Sequence, residues 1–143
     1  MPYRFLQSGS FNHVFNRGVL KSKIFRHNGD YLFFIHKLSC LKKKHNLQIV
    51  TYCLMPNHFH LLLKDRKKRT SAFMKSLQLA YAKFYNHKYK QDGHLFQGPY
   101  QNRQISSRAS FLRVKKYIET NPLKDGLVKD IAKWPFSQLT LPI

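Results

Sequence analysis

The segment MPNHFHLLLK, residues 55–64, decides the fold. Met55-Pro56-Asn57 predicts a turn between residues 47–54, which are rich in Ile, Val, Thr and Tyr, and the leucine-rich residues 58–64. Two strands joined by such a short turn form a β-hairpin. Because alternate residues of a strand point to the same side, we expect His58 and His60 to share one face of the sheet, with Phe59 directed into the core.

The segments on either side of this hairpin alternate between strand and helix patterns. Residues 10–17 alternate in character, with Phe11, His13 and Phe15 on one face, which predicts a strand. Apolar stripes predict a helix that begins at Asn28 or Asp30 and ends near residue 44, and further helices over residues 70–90 and 107–120. Residues 95–105 have the pattern of a strand interrupted at Gly98-Pro99.

The resulting order of elements is strand, helix, strand, strand, helix, strand and helix. A β-α-β-β-α-β run predicts an α+β protein with a ferredoxin-like (RRM-like) antiparallel sheet and helices packed on one face. The additional C-terminal helix carries Tyr117 and has to dock on this layer. A chain of 143 residues is expected to form a single domain over residues 1–143.

The charge indicates the class of partner. Twenty-six Lys and Arg residues stand against six acidic residues, a formal net charge of +20. Such a domain repels itself, so we expect a polyanion, and first of all a nucleic acid, as its partner. A membrane surface is the less favoured alternative, because no basic amphipathic helix with a Trp-rich face is present. No apolar run approaches the ~18 residues of a membrane span, and residues 1–10 lack the apolar core of a signal peptide.

The pair His58 and His60 is the most specific chemical feature. Two imidazoles on one strand face form half of a metal site. The alternative is that both side chains simply line the solvent face of a strand. Leu61, Leu62 and Leu63 indicate a buried strand, where unpaired imidazoles would be costly, and this favours the metal site.

A second candidate group lies on the third predicted helix. Its apolar stripe includes Val114 and Ile118, and at 100° per residue Tyr117 and Asn121 lie together beside that stripe. A phenol and an amide oxygen would reach the histidines if this helix packs near their strand, and the amide could then be a third metal ligand. The alternatives remain open: Asn121 could cap a new turn that begins at Pro122, and Tyr117 could be a packed aromatic.

Seven further side chains are candidates for DNA contact through charge or base stacking. For each of them the alternative is a solvated surface position or, for the tyrosine, a packed rim of the core. They are Arg17, Lys83, Lys88, Tyr100, Arg103, Arg113 and Lys116.

Five motifs in this order resemble a known family over about residues 11–136: HVFNRG (13–18), MPNHFHLL (55–62), GHLFQG (93–98), YIETNPLKDGLV (117–128) and WPFS (134–137). The chain resembles the single-tyrosine HUH transposases, and among them the branch associated with repetitive extragenic palindromes (REP). One departure is Pro99, which stands where relatives more often carry a basic residue.

The resemblance implies a bacterial cytoplasmic enzyme that cuts and rejoins single-stranded DNA at hairpins through a covalent 5′-phosphotyrosine. By position, Tyr117 would be the nucleophile, and His58, His60 and Asn121 would bind a divalent ion, Mg²⁺ or Mn²⁺. The family includes proteins that act as monomers and as homodimers.

Two other functions compete with this interpretation. A catalytically silent DNA- or RNA-binding module would keep the fold without the chemistry, although the RNA-recognition signature is absent and Tyr117, His58 and His60 are intact. A metal-dependent hydrolase would need a carboxylate base. Among the motif residues only Glu119 offers one, and on a helix it points away from Tyr117.

Overall fold

The computed structural model describes residues 10–143. The expectation about a signal peptide concerns residues 1–10, and all of these except Ser10 lie outside the described residues.

Within residues 10–143, four strands and three α-helices follow one another in the predicted order. Two short 3₁₀ turns, Val19–Lys21 and Ile131–Lys133, accompany them. The elements are β1 (Ser10–Arg17), α1 (Asn28–Lys44), β2 (Gln48–Met55), β3 (His58–Asp65), α2 (Thr70–Tyr89), β4 (Gln101–Ile105) and α3 (Arg108–Lys124).

The strands form one antiparallel sheet in the order β2-β3-β1-β4. The predicted hairpin is confirmed, with Met55 opposite His58 across the turn. Strand β1 lies in the centre and places Phe15 opposite His60, and His13 opposite Arg103. This α+β, ferredoxin-like sheet is the fold that the order of elements predicts.

The two faces of the sheet carry different helices. On one face, Val14, Phe59, Leu61 and Leu63 pack with α1 and α2 in the main core, and all four side chains are fully buried. On the other face, Phe11, Leu62 and Ile105 pack with Ile118 of α3. Helix α3 therefore docks on the face opposite to α1 and α2, which is the face that carries His58 and His60.

Two elements differ from the predicted boundaries by more than one residue. Strand β4 begins only at Gln101, because Gly98-Pro99 interrupts the segment, although Phe96 still forms an isolated bridge with Gly18. Helix α3 continues past residue 120 to Lys124 and includes Pro122. A proline so close to the end of a helix removes one hydrogen bond without ending the helix.

The C-terminal segment covers part of the edge strand β2. Leu54 N–H donates to the carbonyl of Phe136, and the Trp134 indole donates to the carbonyl of Leu54, each at 3.0 Å. The Phe136 ring stacks on Tyr31 of α1 with centroids 3.9 Å apart. Trp134 and Phe136 thus anchor this segment, as the sequence predicts.

The helices between residues 10 and 143 are all too short or too polar to cross a membrane.

Candidate active site

Strand β3 brings two imidazoles to one face of the sheet. His58 and His60 lie on the α3 side with ring centroids 5.2 Å apart, while Phe59 between them is fully buried in the main core. The alternation follows from the pleat of the strand. The expected pairing of His58 and His60 on one face is therefore present.

Helix α3 brings Tyr117 to the same place. The Tyr117 ring lies 5.4 Å from the His60 ring, centroid to centroid, in an edge-on arrangement. The helix begins with the Ser107 hydroxyl accepting from Ser110 N–H, and the Thr51 hydroxyl donates to Glu119 at 2.9 Å. Tyr117 keeps 42% of its surface exposed although its helix is docked. Its phenol is therefore accessible beside a buried imidazole.

Asn121 lies one helical turn after Tyr117. It is 4% exposed, and its side chain forms a hydrogen bond with His58. Helix α3 passes through Asn121 and Pro122, and Asp125 N–H donates to the carbonyl of Asn121. The alternative that Asn121 caps a new turn is therefore wrong, because the residue sits inside a continuing helix. The structure brings its amide beside the two imidazoles.

Each of the two histidines has a side-chain partner at Nδ1. Asn57 Oδ1 lies 2.7 Å from His58 Nδ1, and His13 Nε2 lies 2.9 Å from His60 Nδ1. Sequence reasoning treated Asn57 as a turn residue and His13 as a strand residue without a role in the site. The alternation of β1 placed His13 on the correct face, but only the pairing of β1 with β3 shows which histidine it meets.

The pKa values of three histidines at the site are lowered, which favours neutral imidazoles at neutral pH. Burial, together with the charge of Arg103, lowers the pKa of His13 to about 4. Burial and the charges of His13, His58 and Arg103 lower the pKa of His60 to about 3. Burial also lowers the pKa of His58, against the opposing effects of the hydrogen bond with Asn121 and the charge of Asp125. Neutral imidazoles keep a lone pair available for a metal ion.

Two concave surfaces meet at Tyr117 and His60. The main cleft, of about 660 Å³, is lined by Phe15, Asn16, Arg17, Lys21, Asn57, His58, His60, Gln97, Gly98, Pro99, Gln101, Tyr117 and Asp125. The side groove, of about 430 Å³, is lined by His13, Phe15, His60, Arg103, Gln104, Ile105, Ser106, Ser110, Arg113, Val114 and Tyr117. The candidate nucleophile and one imidazole therefore form part of the wall of both.

Three of the seven predicted DNA contacts lie at these surfaces. Arg17 lines the main cleft, where its guanidinium contacts Gln97. Arg103 and Arg113 line the side groove. The Arg103 guanidinium lies over the Phe15 ring at 5.3 Å from the centroid. Arginines on both sides of Tyr117 give each surface a positive charge.

The other four are not brought to this site. Lys83 and Lys88 lie on α2, on the opposite side of the sheet, and the Lys88 ammonium pairs with Asp30 at 2.6 Å. Tyr100 is half-buried and packs against the main core, as its alternative interpretation states. Lys116 is exposed on α3 but lines neither surface.

Two charged residues near Tyr117 escaped sequence reasoning. The Lys124 ammonium lies 4.8 Å from the centre of the Tyr117 ring. Asp125 lines the main cleft, and its charge acts to raise the pKa of His58. Both follow Tyr117 by about two helical turns, so the spacing of seven and eight residues was the available signal. This spacing brings both residues near Tyr117 only if the helix continues past Asn121, which the sequence did not predict.

The donor set suits a divalent ion only if an amide takes part. Between residues 10 and 143, no three His, Cys, Asp or Glu side chains come together to hold a metal. His58 and His60 supply two imidazoles, and the Asn121 side chain already contacts His58. Imidazole nitrogen and amide oxygen are both ligands of divalent ions such as Mn²⁺. The residues present therefore fit such an ion.

Comparison with known proteins identifies relatives. The sequence model of the family described as "Transposase IS200 like" matches residues 11–121. A solved REP-associated tyrosine transposase bound to a REP hairpin is similar with a TM-score of 0.71 and 21% identity, over 91% of this chain and 76% of that one. A candidate transposase from Deinococcus radiodurans R1 has a TM-score of 0.57 and 20% identity, over 77% and 88%. At these identities the two structures support the fold. A search of curated proteins finds no significant match.

Proposed function

The chain belongs to the IS200-like transposase family, and on this premise we propose that it is a metal-dependent enzyme that nicks and rejoins single-stranded DNA at hairpins. In this proposal Tyr117 is the nucleophile and forms a covalent 5′-phosphotyrosine. His58, His60 and Asn121 bind a divalent metal ion. Membership of the family supports a transposase-like role on DNA.

The observation that carries the proposal is the position of Tyr117. Its ring lies 5.4 Å from the ring of His60, and His58 follows at 5.2 Å from His60, all within one chain. An exposed phenol beside the His60 imidazole is in a position to reach a phosphate bound at the same site.

The chemistry that we propose is a transesterification. Tyr117 Oη attacks the phosphorus of a phosphodiester, and the bond from that phosphorus to the 3′ oxygen breaks as the new bond forms. The phenol loses its proton, and the released 3′ oxygen gains one. Because the tyrosine linkage is still a phosphodiester, the 3′ hydroxyl of another end can reverse the step and join two strands.

His58, His60 and Asn121 are the residues that would hold the metal ion. Two neutral imidazoles and an amide add no charge of their own, so the whole positive charge of the ion remains for the substrate. When bound, the ion supplies charge neutralisation and orientation for the scissile phosphate. Imidazole donors favour Mn²⁺ over Mg²⁺ by ligand type, while Mg²⁺ is the more available ion in cells.

The two concave surfaces suggest how a single strand lies across the site. Arg17 and Lys21 line the main cleft, and Arg103 and Arg113 line the side groove. We place the nucleotides before and after the scissile phosphate in these two surfaces, one on each side of Tyr117. A hairpin is the expected substrate because the solved REP-associated relative binds one.

A covalent-capture assay tests the proposal. Single-stranded oligonucleotides that carry palindromes from the DNA flanking the gene are labelled and incubated with the protein and MnCl₂. A denaturing gel should show a metal-dependent protein–DNA adduct. We expect Tyr117→Phe to abolish the adduct and to preserve DNA binding, and His58→Ala and Asn121→Ala to reduce its formation.

Matched variants on the opposite side of the sheet provide the controls. Tyr31→Phe removes a phenolic hydroxyl from the main core, and His36→Ala removes an exposed imidazole from α1. Both variants should form the adduct like the wild type. Cleavage by Tyr117→Phe at a near-normal rate would refute the proposal. Tight, salt-sensitive binding without an adduct on any flanking sequence would instead indicate a DNA-binding module without chemistry.

A further inference from the structure

His13 lines the side groove together with His60, which also lines the main cleft with His58. The two residues are diagonal neighbours across the β1–β3 pair, with 5% and 6% of their surfaces exposed. His13 Nε2 lies 2.9 Å from His60 Nδ1, the distance of a hydrogen bond in which one nitrogen donates and the other accepts. The contact therefore couples the proton positions of both rings.

A corresponding contact exists at the other histidine. Asn57 Oδ1 lies 2.7 Å from His58 Nδ1. An amide oxygen only accepts hydrogen bonds, so His58 carries its proton on Nδ1. Nε2 of His58 is then the unprotonated nitrogen, the one that would bind a metal ion. Asn57 thus contacts Nδ1 of His58, and His13 contacts Nδ1 of His60.

We propose that His13 is a positioning residue that holds His60 as the Nδ1–H tautomer, with Nε2 free for a metal ion, as Asn57 does for His58. The inference rests on the proposed metal site. In this arrangement His60 Nδ1 donates to His13 Nε2, and His13 carries its own proton on Nδ1. A histidine that binds a metal through one nitrogen usually donates from the other, and that partner fixes both tautomer and ring orientation.

Two alternative roles for His13 are less consistent with the contacts. If His60 binds the metal through Nε2, a third ligand has to approach that nitrogen, whereas His13 contacts Nδ1. As a packing residue only, it could be replaced by any ring of similar size. The Phe15 ring, 4.8 Å from that of His13, shows that an aromatic is accepted on this face of β1. This makes His13→Phe a suitable variant.

The test uses the full chain with two readouts besides activity. Long-range ¹H–¹⁵N correlation spectra of the metal-free protein report which nitrogen of each imidazole carries the proton, with His60 assigned through His60→Ala. Calorimetric titration with MnCl₂ reports metal affinity. The variants are His13→Phe, which removes the acceptor, and His13→Gln, whose amide oxygen can replace Nε2 as the acceptor.

We expect His60 to carry its proton on Nδ1 in the wild type and in His13→Gln, and to lose this preference in His13→Phe. We expect Mn²⁺ binding to be about 10- to 100-fold weaker in His13→Phe, and to remain within about threefold of the wild type in His13→Gln. Thermal melts of the variants establish that they are folded. Asn57→Leu should weaken Mn²⁺ binding through the same change at His58.

The outcomes separate this inference from the proposed function. If His60→Ala abolishes Mn²⁺ binding and His13→Phe binds as tightly as the wild type, the positioning role of His13 is refuted and the metal site stands. A wild-type His60 with its proton on Nε2 also refutes the role. If His60→Ala binds Mn²⁺ like the wild type, the metal site itself fails, and the inference fails with it.

Discussion

Hydrogen bonds stabilise the buried carboxylate of Asp30 in its charged form. It is fully buried at the start of α1, where Lys88 donates to Oδ1 at 2.6 Å and Arg26 N–H to Oδ2 at 2.9 Å. Tyr89 also donates to this carboxylate. Burial alone would raise the pKa of Asp30, but the hydrogen bonds from Lys88, Tyr89 and the backbone outweigh it and lower the pKa. Lys88, a predicted DNA contact, thus joins α2 to α1.

The lowered pKa of Asp30 predicts a pH-dependent stability. A carboxyl whose pKa is lower in the folded state stabilises that state above its unfolded pKa of about 3.9, and the contribution is lost as the pH falls through the folded value. Asp30→Asn should therefore lower the free energy of unfolding by about 1–3 kcal/mol at neutral pH. The difference from the wild type should narrow below about pH 4.

Urea denaturation from neutral to acidic pH measures this difference. Asp92→Asn, at an exposed position in the loop after α2, is the matched control and should leave the unfolding free energy nearly unchanged. If the free energy of unfolding of Asp30→Asn stays equally far below that of the wild type at the lowest pH, the lowered pKa of Asp30 is contradicted.

At the scale of elements, the docking of α3 determines whether the candidate site exists. The helix packs its apolar stripe on the sheet, and its polar anchor is the Thr51–Glu119 hydrogen bond of 2.9 Å. Glu119 also pairs with Lys115 on the same helix at 2.9 Å. Glu119 is thus engaged with β2 and not with Tyr117, which agrees with the expectation that it points away from the tyrosine.

Removal of this anchor should affect capture of DNA more than stability. Glu119→Ala loses a hydrogen bond to β2, which lowers the free energy of unfolding by about 0.5–1.5 kcal/mol. A small displacement of Tyr117 can reduce the rate of adduct formation by up to about 100-fold. Urea denaturation and the capture assay measure the two quantities separately. Thr120→Ala, which removes a hydroxyl bond to the Lys116 carbonyl within α3, is the control and should retain the wild-type rate.

At the scale of the whole molecule, the net charge of +20 makes binding to DNA depend strongly on salt. The cations differ in their surroundings, because arginines line both surfaces beside Tyr117, whereas Lys88 of α2 is paired with Asp30. We therefore expect residues on the α3 side of the sheet to contribute most to binding.

Paired substitutions can test this difference between the two sides. For Arg103→Gln/Arg113→Gln, we expect a less steep plot of the logarithm of the DNA-binding constant against the logarithm of salt concentration. The magnitude of the slope should fall by about 0.7 for each lost phosphate contact to single-stranded DNA. The variant Lys44→Gln/Lys75→Gln has the same charge change on exposed positions of α1 and α2. Its slope should stay close to that of the wild type. Equal slopes for the two variants would show that binding is not localised to the α3 side.

The sequence by itself determined the sheet, the helices and the pairing of His58 with His60. These features depend on local order: the pleat makes residues 58 and 60 neighbours, and helical spacing places Tyr117 and Asn121 on one side. The class of partner followed from charge, which needs no coordinates. The resemblance to the family followed from short contiguous motifs, which are also local features of the sequence.

Only the tertiary structure decided which face α3 covers, that Asn121 lies inside a helix, and that His13 meets His60. Residues 13 and 60 are neighbours because β1 pairs with β3 in one register, and a shift of one residue would turn His13 to the other face. The end of α3 depended on packing, which outweighs the tendency of Pro122 to interrupt a helix. Contacts between distant segments arise from packing and register, which local spacing does not encode.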